Sequence, residues 1–201
     1  FIPILRVSLA QIDGTYKSKY ERKKTKKTYE QNIFDFGMVF YQELFEQSVQ
    51  VREELFKNKP AELMATKLGE ILREVVRLLE IETPAVLKDQ ILELSLRHVT
   101  YGLQEHHIDP FKTVLILCIK RYIVSKGFKW SQRMRRAWEW ALNELTSLLM
   151  DGVNVGRPRV EALQRSWIYL CERLYVEDAE LGGSRRSSFG GSFRRASSLF
   201  G

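Results

Sequence analysis

The chain has 201 residues and a mass of 23.6 kDa, enough for one ordinary domain with sequence to spare. Its 44% hydrophobic content supplies a core and excludes wholesale disorder, and its longest apolar run, Val114 to Ile119, is too short to cross a bilayer. The net charge of +7 is concentrated in two places: residues 15–30 carry seven Lys/Arg and two Glu, and residues 157–201 carry eight Arg and five acids, so the body is near neutral and a uniformly basic nucleic-acid surface is excluded.

In chain order the pattern predicts helices and no strand. Residues Pro3 to Ile12 are apolar enough for a short packed helix, and the polar segment 15–30 reads as a basic insert. From Ile33 to Phe45 the apolar residues form a broad helical face. Glu53 to Phe56 ends a short turn, and Pro60 suits the first turn of the next helix. Between Leu63 and Leu79 the 3.6 period is strong, through Leu68, Ile71, Leu72, Val75 and Val76. Thr83 is placed to cap a further helix that stops near Gly102. Asp109-Pro110 opens another, running to about Ser125, with Gly127 as its end signal. Ser131 caps a long helix that reaches Met150. Gly152, Gly156 and Pro158 then read as a break before a helix over about Arg159 to Tyr175. The end of the chain, rich in Gly, Ser and Arg, reads as a disordered tail.

Two cysteines, Cys118 and Cys171, exclude a disulfide-built fold and suit a reducing, cytoplasmic setting. No GxGxxG, GxxxxGK[ST] or HExxH is present, which leaves nucleotide and zincin readings without support. The chain opens on Phe1 rather than Met, as expected of a fragment or a processed protein.

The order of several short motifs resembles that of the globin family. Phe40-Tyr41-Gln42-Glu43-Leu44-Phe45 is similar to a stretch of bacterial-type single-domain globins and flavohaemoglobins, and Val51-Arg52-Glu53-Glu54-Leu55-Phe56 follows it as theirs does. Leu96-Arg97-His98-Val99-Thr100-Tyr101-Gly102 resembles their proximal motif, and Arg136 to Ala141 their last helix. The resemblance covers residues 4–12 and 33–152 and implies an all-α globin fold, with the basic insert after the first helix and an extra helix at the C-terminal end. It divides the chain into a globin domain over 1–152, a linker and additional helix over 153–176, and a tail over 177–201.

The resemblance further implies a b-type haem, bound without covalent attachment since no CxxCH occurs, and reversible binding of oxygen or another diatomic gas. His98 matches the proximal ligand to the iron, and its second ring nitrogen then needs an acceptor. Phe56 matches the ring that stacks on the haem, or is an ordinary core residue. Tyr41 matches the distal tyrosine, or is a core aromatic. With Leu68 and Leu72 turned inward, Met64 takes the distal position in preference to Leu63, and Lys67 reaches a haem propionate or is a solvated surface lysine. Tyr101 packs near the haem or supports His98, and His107 falls in the loop where many members carry a histidine.

Two alternatives accompany this reading. One is nitric oxide dioxygenation with a separate reductase, because nothing after residue 152 resembles a flavin or NAD module. The other is a haem-free signalling or interaction module. Val160 to Leu170 is similar to the start of a second globin repeat, or is a docking helix. Arg185-Arg186-Ser187-Ser188 and Arg194-Arg195-Ala196-Ser197-Ser198 have the arginine-rich form that basophilic kinases accept.

Overall fold

The computed structural model describes residues 1–16, 29–81 and 83–181. Most of the predicted insert over 15–30 and most of the tail, with both arginine-serine segments, lie outside the described residues. Among those described there are seven α-helices, one 3₁₀ turn and no strand: α1 Ile2–Asp13, α2 Tyr29–Gln47, α3 Val49–Leu55, α4 Ala61–Leu79, α5 Pro84–Thr100, the turn Glu105–His107, α6 Ile108–Ser125 and α7 Gln132–Leu181. None is long and apolar enough to cross a membrane.

Most helix boundaries follow from local chemistry. Ser48 accepts from the Val51 N–H at 3.3 Å and caps α3, and Ser131 accepts from the Met134 N–H at 3.1 Å at the start of α7. Gly102 and Gly127 adopt φ of 78° and 84° just beyond α5 and α6, in the left-handed region that favours glycine.

The core gathers the inward faces of α1, α2, α4, α6 and the first half of α7, with Leu5, Ile12, Phe36, Phe40, Leu68, Ile119 and Trp138 among its buried side chains. The Trp138 indole N–H donates to Ser8 Oγ at 2.9 Å, so the one polar atom of the largest core side chain is satisfied by the first helix. Helices α2 and α4 approach closely. A Cβ built on Gly37 would lie 2.5–2.8 Å from backbone atoms of Ala65, so only glycine permits this crossing. Gly69 meets the Ile33 side chain in the same way, one turn along.

One expectation fails. Gly152, Gly156 and Pro158 do not break the chain; all three lie within α7. The two glycines are contact residues. A Cβ on Gly152 would sit 2.2 Å from Ser95 Oγ, and one on Gly156 would sit 3.2 Å from Leu96 Cδ2, so small residues let α5 and α7 approach. Pro158 removes one backbone donor without ending the helix. Residues 153–158 are therefore helical. The compact unit extends from Phe1 to Pro158, and the chain from Arg159 onward forms a second unit.

Candidate functional site

His98 lies in the last turn of α5, half-buried. Its Nδ1 lies 2.8 Å from the Leu94 carbonyl oxygen, which only accepts, so Nδ1 carries the proton. In the neutral ring Nε2 then holds the free lone pair. Burial lowers the pKa of His98, against the Leu94 bond and with help from the Arg97 charge, which favours the neutral ring. Leu94 lies four residues before His98 on the same helix, one turn away.

Tyr41 is 1% exposed in α2, one turn after Gly37. Its ring packs against Phe40, Phe45 and Phe56 at centroid distances of 4.9, 5.7 and 5.5 Å. Burial raises its pKa well above the usual phenol range, so the hydroxyl keeps its proton and remains a donor. Phe56 follows α3 and packs against the core. The Lys59 ammonium lies 5.8 Å from the Phe56 ring and 4.8 Å from the Tyr101 ring. Tyr101 in turn meets His98 edge-on at 5.9 Å. Contacts therefore run from Tyr41 through Phe56, Lys59 and Tyr101 to His98. Lys59 was missed in the sequence, where a lysine before a proline carries no signal of a role.

On α4, Leu68 is fully buried and Met64 packs against the same core, on either side of Ala65 at the Gly37 crossing. Leu63 is 57% exposed, which agrees with the choice of Met64 as the inward residue. Lys67 is exposed and pairs with Glu70 at 2.9 Å.

His107 stands apart from this chain of contacts. Its side chain is buried, its Nδ1 accepts from the Gln104 backbone N–H at 3.0 Å, and its Nε2 lies 2.8 Å from Glu54 Oε2. The His106 Nε2 approaches the same oxygen at 3.0 Å, and Gln50 donates to the other carboxylate oxygen at 2.8 Å. These bonds hold the Glu54 pKa down to about 2. Burial lowers that of His107. Glu54, His106 and His107 have the donor set of a metal site, with ligand atoms within 4.8 Å of one another. Because His107 Nδ1 is an acceptor, however, Nε2 carries the proton and offers no lone pair to a cation. The cluster is a hydrogen-bonded clasp from the end of α3 to the turn before α6. Glu54 was not singled out in the sequence; the adjacent histidines were the only sign of it.

A cleft of about 370 Å³ is lined by Glu30, Gln31, Ile33, Phe34, Thr66, Glu70 and Arg73, and none of the candidate residues borders it. A scan against known protein families matches none, and no curated protein matches the chain.

Proposed function

We propose that the chain is a globin that holds one b-type haem through His98 and reversibly binds oxygen or another diatomic gas. The observation that carries this reading is the state of His98: Nδ1 tied to Leu94, the ring kept neutral by burial, and Nε2 left with its lone pair. The Tyr41 phenol, packed among aromatic rings and kept protonated by burial, supports it further as a donor. In this reading His98 would ligate the haem, Phe56, Met64, Leu68 and Tyr101 would contact it, and Tyr41 would face the gas. When bound, haem iron supplies the gas-ligating centre and its redox chemistry.

The chain's own residues would then do three things. His98 presents one neutral nitrogen in a direction fixed by its helix. The apolar side chains of Phe56, Met64 and Leu68 exclude water. Tyr41 donates a hydrogen bond to a ligand that gathers negative charge, and discriminates against one that does not. The same donor suits nitric oxide dioxygenation with a reductase supplied separately.

The test compares wild type and His98→Ala after expression with haem supplied. Wild type is expected to take up haem with a strong Soret band, and His98→Ala to bind it weakly with an altered spectrum. Equal affinity and unchanged spectra would overturn the assignment, and a colourless wild type that takes up no haem would favour an interaction module.

A further inference from the structure

The second unit begins at Arg159, and its helix exposes an unusual set of side chains. Leu163, Trp167, Ile168, Tyr169, Leu170 and Leu174 are each half or more exposed. Four of them, Leu163, Trp167, Leu170 and Leu174, follow the alternating four-and-three spacing of a coiled-coil seam. Such a stripe in water calls for a covering partner.

Charge decides which partner. Residues 159–166 hold Arg159, Glu161 and Arg165, a net +1, whereas residues 171–181 hold Glu172, Arg173, Glu177, Asp178 and Glu180, a net −3. A parallel pair of identical helices would set the acidic end against itself. An antiparallel pair sets the basic end of each helix against the acidic end of the other.

The seam and the charges select the same register. If facing residues sum to 337, Leu163 lies level with Leu174 and Trp167 with Leu170, so every large seam residue meets another. In that register Arg159 flanks the seam beside Glu180 of the other copy, whereas Arg165 and Glu172 fall on the outer face. Only Val160 meets an acid, Glu177, at the ends of the pair where water enters.

We propose that residues 159–181 bind the same segment of a second copy of this chain as an antiparallel two-helix coil. The seam supplies apolar burial, and the charge gradient fixes direction. This pairing does not depend on haem.

Sedimentation velocity of the full chain across a concentration series tests it. Wild type should reach a mass twice 23.6 kDa, and Leu170→Glu should remain monomeric with unchanged helical circular dichroism. Arg159→Glu should weaken the dimer roughly 2- to 30-fold, because two flanking pairs are lost, and adding Glu180→Arg should restore it. Direction is read by disulfide cross-linking on a Cys171→Ser background. Leu163→Cys mixed with Leu174→Cys should cross-link, and neither should do so alone. A wild type that stays monomeric, a Leu170→Glu dimer, or self-cross-linking of Leu163→Cys would overturn the proposal.

Discussion

Replacing Gly37 with alanine tests the close approach of α2 and α4. The new Cβ would meet the Ala65 oxygen at 2.5 Å and its Cα at 2.6 Å, and neither atom can rotate away. Carbon atoms prefer about 3.5–4.0 Å, so α2 and α4 must part by roughly 1 Å at the crossing. A gap of that size forfeits about a quarter or more of the dispersion well for contacts across it. Phe36, Phe40, Tyr41, Leu68 and Leu72 are among the large, fully buried side chains of these two helices. At about 1.5–3 kcal/mol of burial each, a quarter lost from five side chains is about 2–4 kcal/mol. Alanine's higher helix propensity returns about 1 kcal/mol, leaving a net loss of about 1–3 kcal/mol. For a unit of this size that is a fall in Tm of roughly 2–12 °C. Gly152→Ala meets Ser95 Oγ, which can rotate, and Ser95 Cβ at 2.7 Å, which cannot, so it should also destabilise, but by less than Gly37→Ala, where three backbone atoms lie within 2.8 Å. Gly156→Ala meets only the end of Leu96 and should be neutral or slightly stabilising. Thermal melts followed by circular dichroism give the order directly. A Gly37→Ala protein as stable as Gly156→Ala would refute the reasoning.

Tyr41→Phe deletes one donor with little change in packing, and a hydrogen bond to a charged acceptor in a dry pocket is worth about 1–3 kcal/mol. Oxygen release, measured by stopped flow on the haem-loaded protein, should quicken roughly five- to a hundredfold while carbon monoxide release barely changes. Ser8→Ala strands the buried Trp138 N–H and should destabilise by about 1–3 kcal/mol, read as a lower urea midpoint with an unchanged slope. The clasp predicts a pH dependence. The His107 pKa is lowered on folding, so its contribution is present above about 6.5 and declines as pH falls below that value. That of Glu54 is lowered to about 2, so its contribution is present above about 4.5 and is lost as pH falls toward 2. Melting temperature should therefore drop on acidification, and Glu54→Gln should flatten the decline below about 4.5.

The helices were legible because their ends carry chemistry that acts locally. Ser131, Pro60, Gly102 and Gly127 stop or start helices through their own backbone or side-chain bonds, with no help from distant residues. Gly152 misled for the opposite reason. Its meaning depends on Ser95, which is far away in sequence, and a glycine that admits a neighbour looks the same in sequence as one that ends a helix. The candidate site divides along the same line. His98 and Tyr41 stand in motifs, whereas Glu54 and Lys59 gain roles only when α3 and the segments after α5 come together. Lys67, read as a propionate partner or a solvated surface lysine, is exposed and pairs with Glu70 of its own helix.

The contact of Ser95 with α7 has a consequence for a residue it never touches. Ser95 Oγ, which donates to Ile91 O of its own helix at 2.7 Å and lies 3.1 Å from Leu149 O, packs over Gly152 of α7 and so indexes the rotation of α5 about its own axis. His98, three residues on, rides on that rotation, because its ring is tied to Leu94 of the same helix. A side chain extends about 5–6 Å from a helix axis, so a turn of only 10° swings the tip through roughly 1 Å. The direction in which His98 points is therefore set as if by a detent on a dial, and the detent is cut into a helix some fifty residues away.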